Sequence, residues 1–243
     1  MTFSHASCVT TSTVSRVSMS RLSFVIALVL TPAVGLAQSS AVVDEGTFTV
    51  TEKGAPLGRE SFRIARTPGP GGQVYLVKGQ SALGENRIST TLGVDSLGLP
   101  VSYLSEHTVR GQLVQKTQGR GRPGRFSVLK ETKSGESARE YLLNSGALLM
   151  DEDVFHHFYF VPISAKLAHL VVIAPRTADQ GRFRVEDRGP ESVEIAGQSI
   201  SSRRYSLIGS QGGRDVWIDE KGRLLKVAIP EKGLVALRDD PPR

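Results

Sequence analysis

The chain has 243 residues, 39% hydrophobic and 22% charged, with a formal charge of +6. Its single cysteine, Cys8, excludes an internal disulfide and a cysteine-built metal cage. The mild basicity is compatible with visits to anionic envelope surfaces without pointing to them.

From Met19 the chain reads MSRLSFVIALVLTPAVGLAQSS. Arg21 supplies a positive start, Leu22 to Leu30 an apolar run, and Gly35-Leu36-Ala37 a small-x-small cleavage site. The run is shorter than the roughly 20 residues that span a bilayer. Residues 1–37 therefore read as a cleaved secretory signal, starting at Met1 or Met19, and 38–243 as one exported domain, periplasmic or secreted. Removing Arg16 and Arg21 leaves a charge of +4. No later segment is apolar enough to cross a membrane, so an integral membrane protein is not expected.

Alternation dominates the mature part. GTFTV (46–50) puts Phe48 and Val50 on one face, and ESFRIAR (60–66) does so with Phe62 and Ile64, charged residues lying between. The link EKGAPLG reads as a hairpin turn. QVYLVKG (73–79), RISTTLGV (87–94) and VSYLSEHTV (101–109) continue as short strands split by Gly and Pro. RGQLVQKTQGRGRPGRFSVLKETK (110–133) carries seven basic residues and one acid. Its GRGRPG core has the G-x-G-x-x-G spacing but no following helix, and its Arg-Gly-Arg-Pro matches a minor-groove hook without flanking hooks. It reads as an exposed hairpin tip; no nucleic-acid partner is expected, and Arg120, Arg122 and Arg125 are candidates for contact with an anionic surface.

MDEDVFHHFYFVP (150–162) breaks the alternation. Asp151, Glu152 and Asp153 suit a helix's first turn, and Phe155, Phe158, Tyr159 and Ile163 recur at helical spacing, so a helix is expected near 152–168, ended or kinked by Pro162. On such a helix Glu152–His156 and Asp153–His157 are four apart. Asp153 and His157 are thus the candidate metal pair, although His156 and His157 diverge by about 100° and cannot both reach one ion. The plainer reading has the acids capping the helix. No nucleophile elbow, P-loop or H-E-x-x-H occurs, and no cofactor is expected. After the helix, strands recur roughly every ten residues, WIDEKGRLLKV being the clearest hairpin.

The stretches FTV…GAPLGRESFRI, LLMDEDVFHHFYFV and SVEIAGQSISSRRYSL…RDVWIDEKGRLLKVAIPEKG resemble uncharacterised secreted or periplasmic domains of unknown function. These are distantly similar to the half-barrel folds of bacterial lipoprotein carriers. The resemblance covers most of 44–238 and implies a fold and a compartment, with no established reaction.

The expected fold is mainly β: a curved antiparallel meander sheet, a half-barrel closed by one helix. The expected function is a non-catalytic binding or carrier role for a lipid or other amphipathic molecule in the envelope, with Phe155, Phe158, Tyr159 and Trp217 lining the cleft. One alternative is a metal-dependent hydrolase using Asp153 and His157. Another is an envelope interaction protein with a filled core.

Overall fold

The computed structural model describes residues 40–243 apart from Pro70, Ala165, Lys166, Ala168 and Gln211; the leader reading of residues 1–37 lies outside them. Fifteen strands form one sheet. In the first half these are β1 (Ala41–Glu52), β2 (Ala55–Gly69), β3 (Gly72–Leu83), β4 (Asn86–Asp95), β5 (Pro100–Val109), β6 (Gln112–Arg122), β7 (Arg125–Thr132) and β8 (Gly135–Leu142). The second half adds β9 (Ala147–Leu149), β10 (His169–Ala174), β11 (Asp179–Ile195), β12 (Gln198–Gly209), β13 (Arg214–Asp219), β14 (Leu224–Ile229) and β15 (Leu234–Arg238). The order across the sheet is β8 down to β1, then β15 down to β9. Every pairing is antiparallel except β9 with β10. The sheet is open and curved, and its two edges, β8 and β9, are consecutive in the chain.

Alternation explains this arrangement. Phe48 and Val50 on β1, and Phe62 and Ile64 on β2, all face inward and are buried, with the Phe48 and Phe62 rings stacked at 5.0 Å. Lys53 and Gly54 make the β1–β2 turn with φ of 51° and 83°, the left-handed pair that a two-residue hairpin needs. The β13–β14 hairpin forms where WIDEKGRLLKV predicts it. The basic GRGRPG segment is the end of β6 and its turn into β7, with Arg122 paired to Arg125 and both exposed.

The concave face is filled. Phe48, Phe126, Phe155, Phe160 and Phe183 are fully buried in one continuous apolar cluster. The helical segment that closes it is shorter than expected and mostly of the tighter type: a 3-10 helix over Phe155–Phe160, then one α turn, α1, over Val161–Ser164. Its six 3-10 residues, both histidines included, are all buried.

Candidate functional site

The helical segment has no acidic residue in its first turn, and its N-cap, Val154, makes no side-chain bond. The cap comes from across the sheet. Glu60 on β2 accepts the backbone N–H of Phe155 at 2.8 Å and of His156 at 2.7 Å, two donors a helix start otherwise leaves unpaired. Its Oε1 also lies 3.0 Å from His156 Nδ1, and His156 Nε2 lies 3.0 Å from Thr90 Oγ1 on β4. In the neutral tautomer that donates from Nδ1 to the carboxylate, Nε2 accepts the threonine proton. The sequence acid–histidine–hydroxyl has the order of a nucleophile relay. Yet Glu60, His156 and Thr90 are all buried, so the array pins the helix to the sheet.

The imidazole fits there because β3 has a glycine beneath it. A β-carbon on Gly79 would sit 2.1 Å from His156 Cε1. Gly79→Ala is therefore expected to lose about 1–3 kcal/mol of stability through overpacking, read as a lower urea midpoint with an unchanged slope. An alanine variant as stable as the parent would show that His156 does not need this gap.

A second buried set surrounds Asp151. Tyr103 on β5 donates its hydroxyl to Oδ2, the Arg176 backbone N–H donates to Oδ1 at 3.0 Å, and Arg176 Nε lies 3.7 Å from Oδ2. The Arg176 guanidinium also donates to the Glu152 carbonyl at 2.8 Å. Burial pushes the Asp151 carboxyl up to about 6, against the pull of the Arg176 charge and the Tyr103 hydrogen bond. The same burial, with Asp151 beside it, holds the Tyr103 hydroxyl well above its ordinary range. The Asp151 backbone N–H donates to His157 Nδ1 at 3.3 Å, while His157 Nε2 has no hydrogen-bond partner among the described residues. Burial, then the neighbouring His156 and Arg176, keep His157 far below its usual value and so neutral.

The three acids thus do not cap the helix. Asp153 sits ahead of it in the left-handed region at φ 61°, where aspartate is one of the tolerated residues. That kink removes the four-residue helical spacing on which the Asp153–His157 pairing rested. His157 turns its Nδ1 to the backbone of Asp151, and no group of three or more His, Cys, Asp or Glu able to hold a metal occurs among the described residues. Of the other histidines, His107 bonds Asn86 Oδ1 at 2.9 Å and His169 is exposed at the start of β10.

Beside this network lies a cavity of about 210 Å³. Phe155, Phe158, Val172 and Ile229 form its apolar floor, and Asp153, Asp179, Arg214 and Lys232 stand around its charged rim. Glu152 and Lys232 bridge that rim at 2.8 Å. Of the four aromatics expected at a cleft, Phe155 and Phe158 line the cavity and the other two do not. Tyr159 packs edge-on to Phe160 within the core, where burial drives its hydroxyl up to about 12. Trp217 points the other way, because Val216 and Ile218 alternate inward. It belongs to a separate cluster with Val193, Ile195 and Leu225. There the Lys226 ammonium and the Arg204 guanidinium lie 4.4 and 5.1 Å from its ring centroid.

A family model described as a domain of unknown function (DUF6134) matches residues 106–237, more than half of the chain. The chain belongs to the DUF6134 family. The matched residues run from β5 to β15 and include Asp151, His156, His157 and all of the cavity lining. Among solved structures, the DUF6134 chain is similar to a crystal structure of a β-barrel-like protein of domain of unknown function DUF1849 from Brucella abortus. The identity is 10% and the TM-score 0.53, covering 80% of this chain and 93% of that one. That likeness concerns the fold alone and agrees with a barrel-like domain. No curated protein matches the chain. Among the described residues no helix is long and apolar enough to cross a membrane.

Proposed function

We propose that this DUF6134 protein is an exported, non-catalytic binding module for a small amphipathic molecule. The observation that carries the reading is the cavity with an apolar floor at Phe155 and Phe158 and charges around its mouth. Pockets that orient small ligands combine these two features. At about 210 Å³ the cavity is smaller than the roughly 300–1000 Å³ of drug-sized sites, so it suits a short ligand or one end of a longer one. A long acyl chain is not favoured, because the concave face is occupied by Phe48, Phe126 and Phe183. Asp153 and Asp179 make no ion pair among the described residues, which favours a ligand presenting a cationic or hydrogen-bond-donating head. Export rests on the leader read at residues 1–37. The hydrolase alternative draws no support from the geometry around Asp153 and His157.

The test is native mass spectrometry of the protein from an exporting host, against its denatured mass. A bound small molecule is expected, and Ala174→Leu, which fills the cavity from β10, is expected to lose most of it while remaining folded. An identical native and denatured mass would overturn the binding reading in favour of an envelope interaction protein with a filled core. Equal retention by Ala174→Leu would move the ligand out of this cavity.

A further inference from the structure

One end of the sheet gathers exposed leucines and arginines. The β4–β5 turn, the β6–β7 tip, the 143–146 connection and Leu167 all lie there. The Leu143 N–H donates to the Gly124 carbonyl at 2.9 Å, joining the 143–146 connection to the β6–β7 tip. A β-carbon on Gly121 would lie 3.0 Å from Val101 Cα, so that tip abuts the start of β5. One on Gly98 would lie 3.6 Å from Ile163 Cγ2, and one on Gly146 2.7 Å from Leu167 Cδ1. These contacts place Leu97, Leu142, Leu167 and Ile163 on a single end, exposed by 70%, 62%, 37% and 36%.

Basic side chains stand beside them. Arg120 and Arg122 are exposed and make no ion pair among the described residues, while Arg125 is paired with Glu140. The nearby Asp95 carboxylate is engaged by the turn itself, accepting the backbone N–H groups of Leu97 and Leu99 at 2.9 and 2.8 Å.

We propose that this end docks on an anionic lipid bilayer, with Leu97 and its apolar neighbours entering the headgroup region and Arg120 and Arg122 meeting the phosphates. These apolar side chains come from separate elements: the β4–β5 turn, the end of β8, α1 and Leu167. A protein partner would need a matched pocket for each, whereas a bilayer interface accepts apolar side chains one by one. Arginine beside them complements the negative surface potential, and its stem can lie along the acyl boundary while the guanidinium stays at the headgroups. β9 and β10 both run from this end toward Met150 and Ala174, which line the cavity, so the cavity mouth faces away from the docked surface. The inference is independent of the ligand reading.

The test is flotation of the full chain, as isolated, with vesicles of phosphatidylglycerol and phosphatidylcholine in equal parts, against phosphatidylcholine alone. Any contribution of residues 1–37 is the same in every variant. The parent is expected to float with the anionic vesicles and far less with the neutral ones. Losing two surface arginines, in the double variant Arg120→Ser and Arg122→Ser, is expected to weaken partitioning about thirtyfold. Leu97→Ser is expected to weaken it about tenfold. Leu113→Ser, equally a loss of an exposed leucine but at the opposite end, is expected to change nothing. All four side chains are exposed, so folding survives. A parent that floats with neither vesicle overturns the proposal, as does a loss with Leu113→Ser equal to that with Leu97→Ser. Unchanged flotation of the arginine or Leu97 variants also overturns it.

Discussion

Glu60→Ala is expected to destabilise the domain by about 3–5 kcal/mol. The carboxylate is fully buried, and its removal strands three donors: the N–H groups of Phe155 and His156 and the His156 ring nitrogen. A buried donor without an acceptor costs about 1–3 kcal/mol, and water entering the vacated space recovers only part of that. Glu60→Gln keeps one carbonyl oxygen for a backbone N–H but turns an amide N–H toward another donor, so its loss should be intermediate. Urea unfolding, with the slope compared between variants, reads both numbers. If the alanine variant stayed within about 0.5 kcal/mol of the parent, the helix would be held by apolar packing and not by its remote cap.

Asp151 and His157 should produce opposite pH dependences that mask each other. Asp151 is raised in the folded state from 3.8 to about 6. Between those values the unfolded chain has lost that proton while the folded one keeps it, so stability falls as pH rises through the window. His157 is depressed well below 6.5. Below 6.5, down to that depressed value, the unfolded chain holds the imidazole proton and the folded chain does not, so stability rises with pH. The two slopes have opposite signs, so each group hides part of the other's pH dependence. Asp151→Asn should therefore unmask a rise with pH relative to the parent, amounting to about 2 kcal/mol between pH 4 and pH 6. His157→Gln should unmask a fall. Chemical unfolding across that range measures both, and parallel profiles for parent and Asp151→Asn would show that the buried carboxyl does not titrate there.

The strands were legible because a sheet with one buried face writes period two into its sequence, and glycines mark many of the turns between them. Phe48, Val50, Phe62 and Ile64 showed their side directly. Glu60 shares their parity, two residues before Phe62, so its inward direction was also readable from ESFRIAR. What hid it was the ordinary tendency of a charged residue in a strand to face water. The aromatic run of 155–160 announced a buried segment. Its 3-10 winding and its late start were not announced, since both follow from Asp153 taking a left-handed backbone and from a cap supplied some ninety residues away. Asp151 is equally non-local: Tyr103 and Arg176, which decide its protonation, sit on other elements and leave no spacing signature beside it. Trp217 shows the converse error. Aromaticity suggested a cleft, while its alternation with Val216 and Ile218 already assigned it to the opposite face.

Because the strand order runs outward from β1 and β15 in both directions, every ladder but one joins strands that are neighbours in the chain. The exception pairs Phe48 with Arg238 and Glu52 with Leu234, knitting the beginning of the domain to its end. Apart from the parallel β9–β10 ladder, two local meanders can thus zip up by short hairpin closures, and one long closure between β1 and β15 joins them. Much of the loop-closure entropy of so large a sheet is concentrated at that seam. A chain reconnected through β1 and β15, with new ends in the 143–146 connection, would turn the seam into one more hairpin while leaving every strand with the same neighbours.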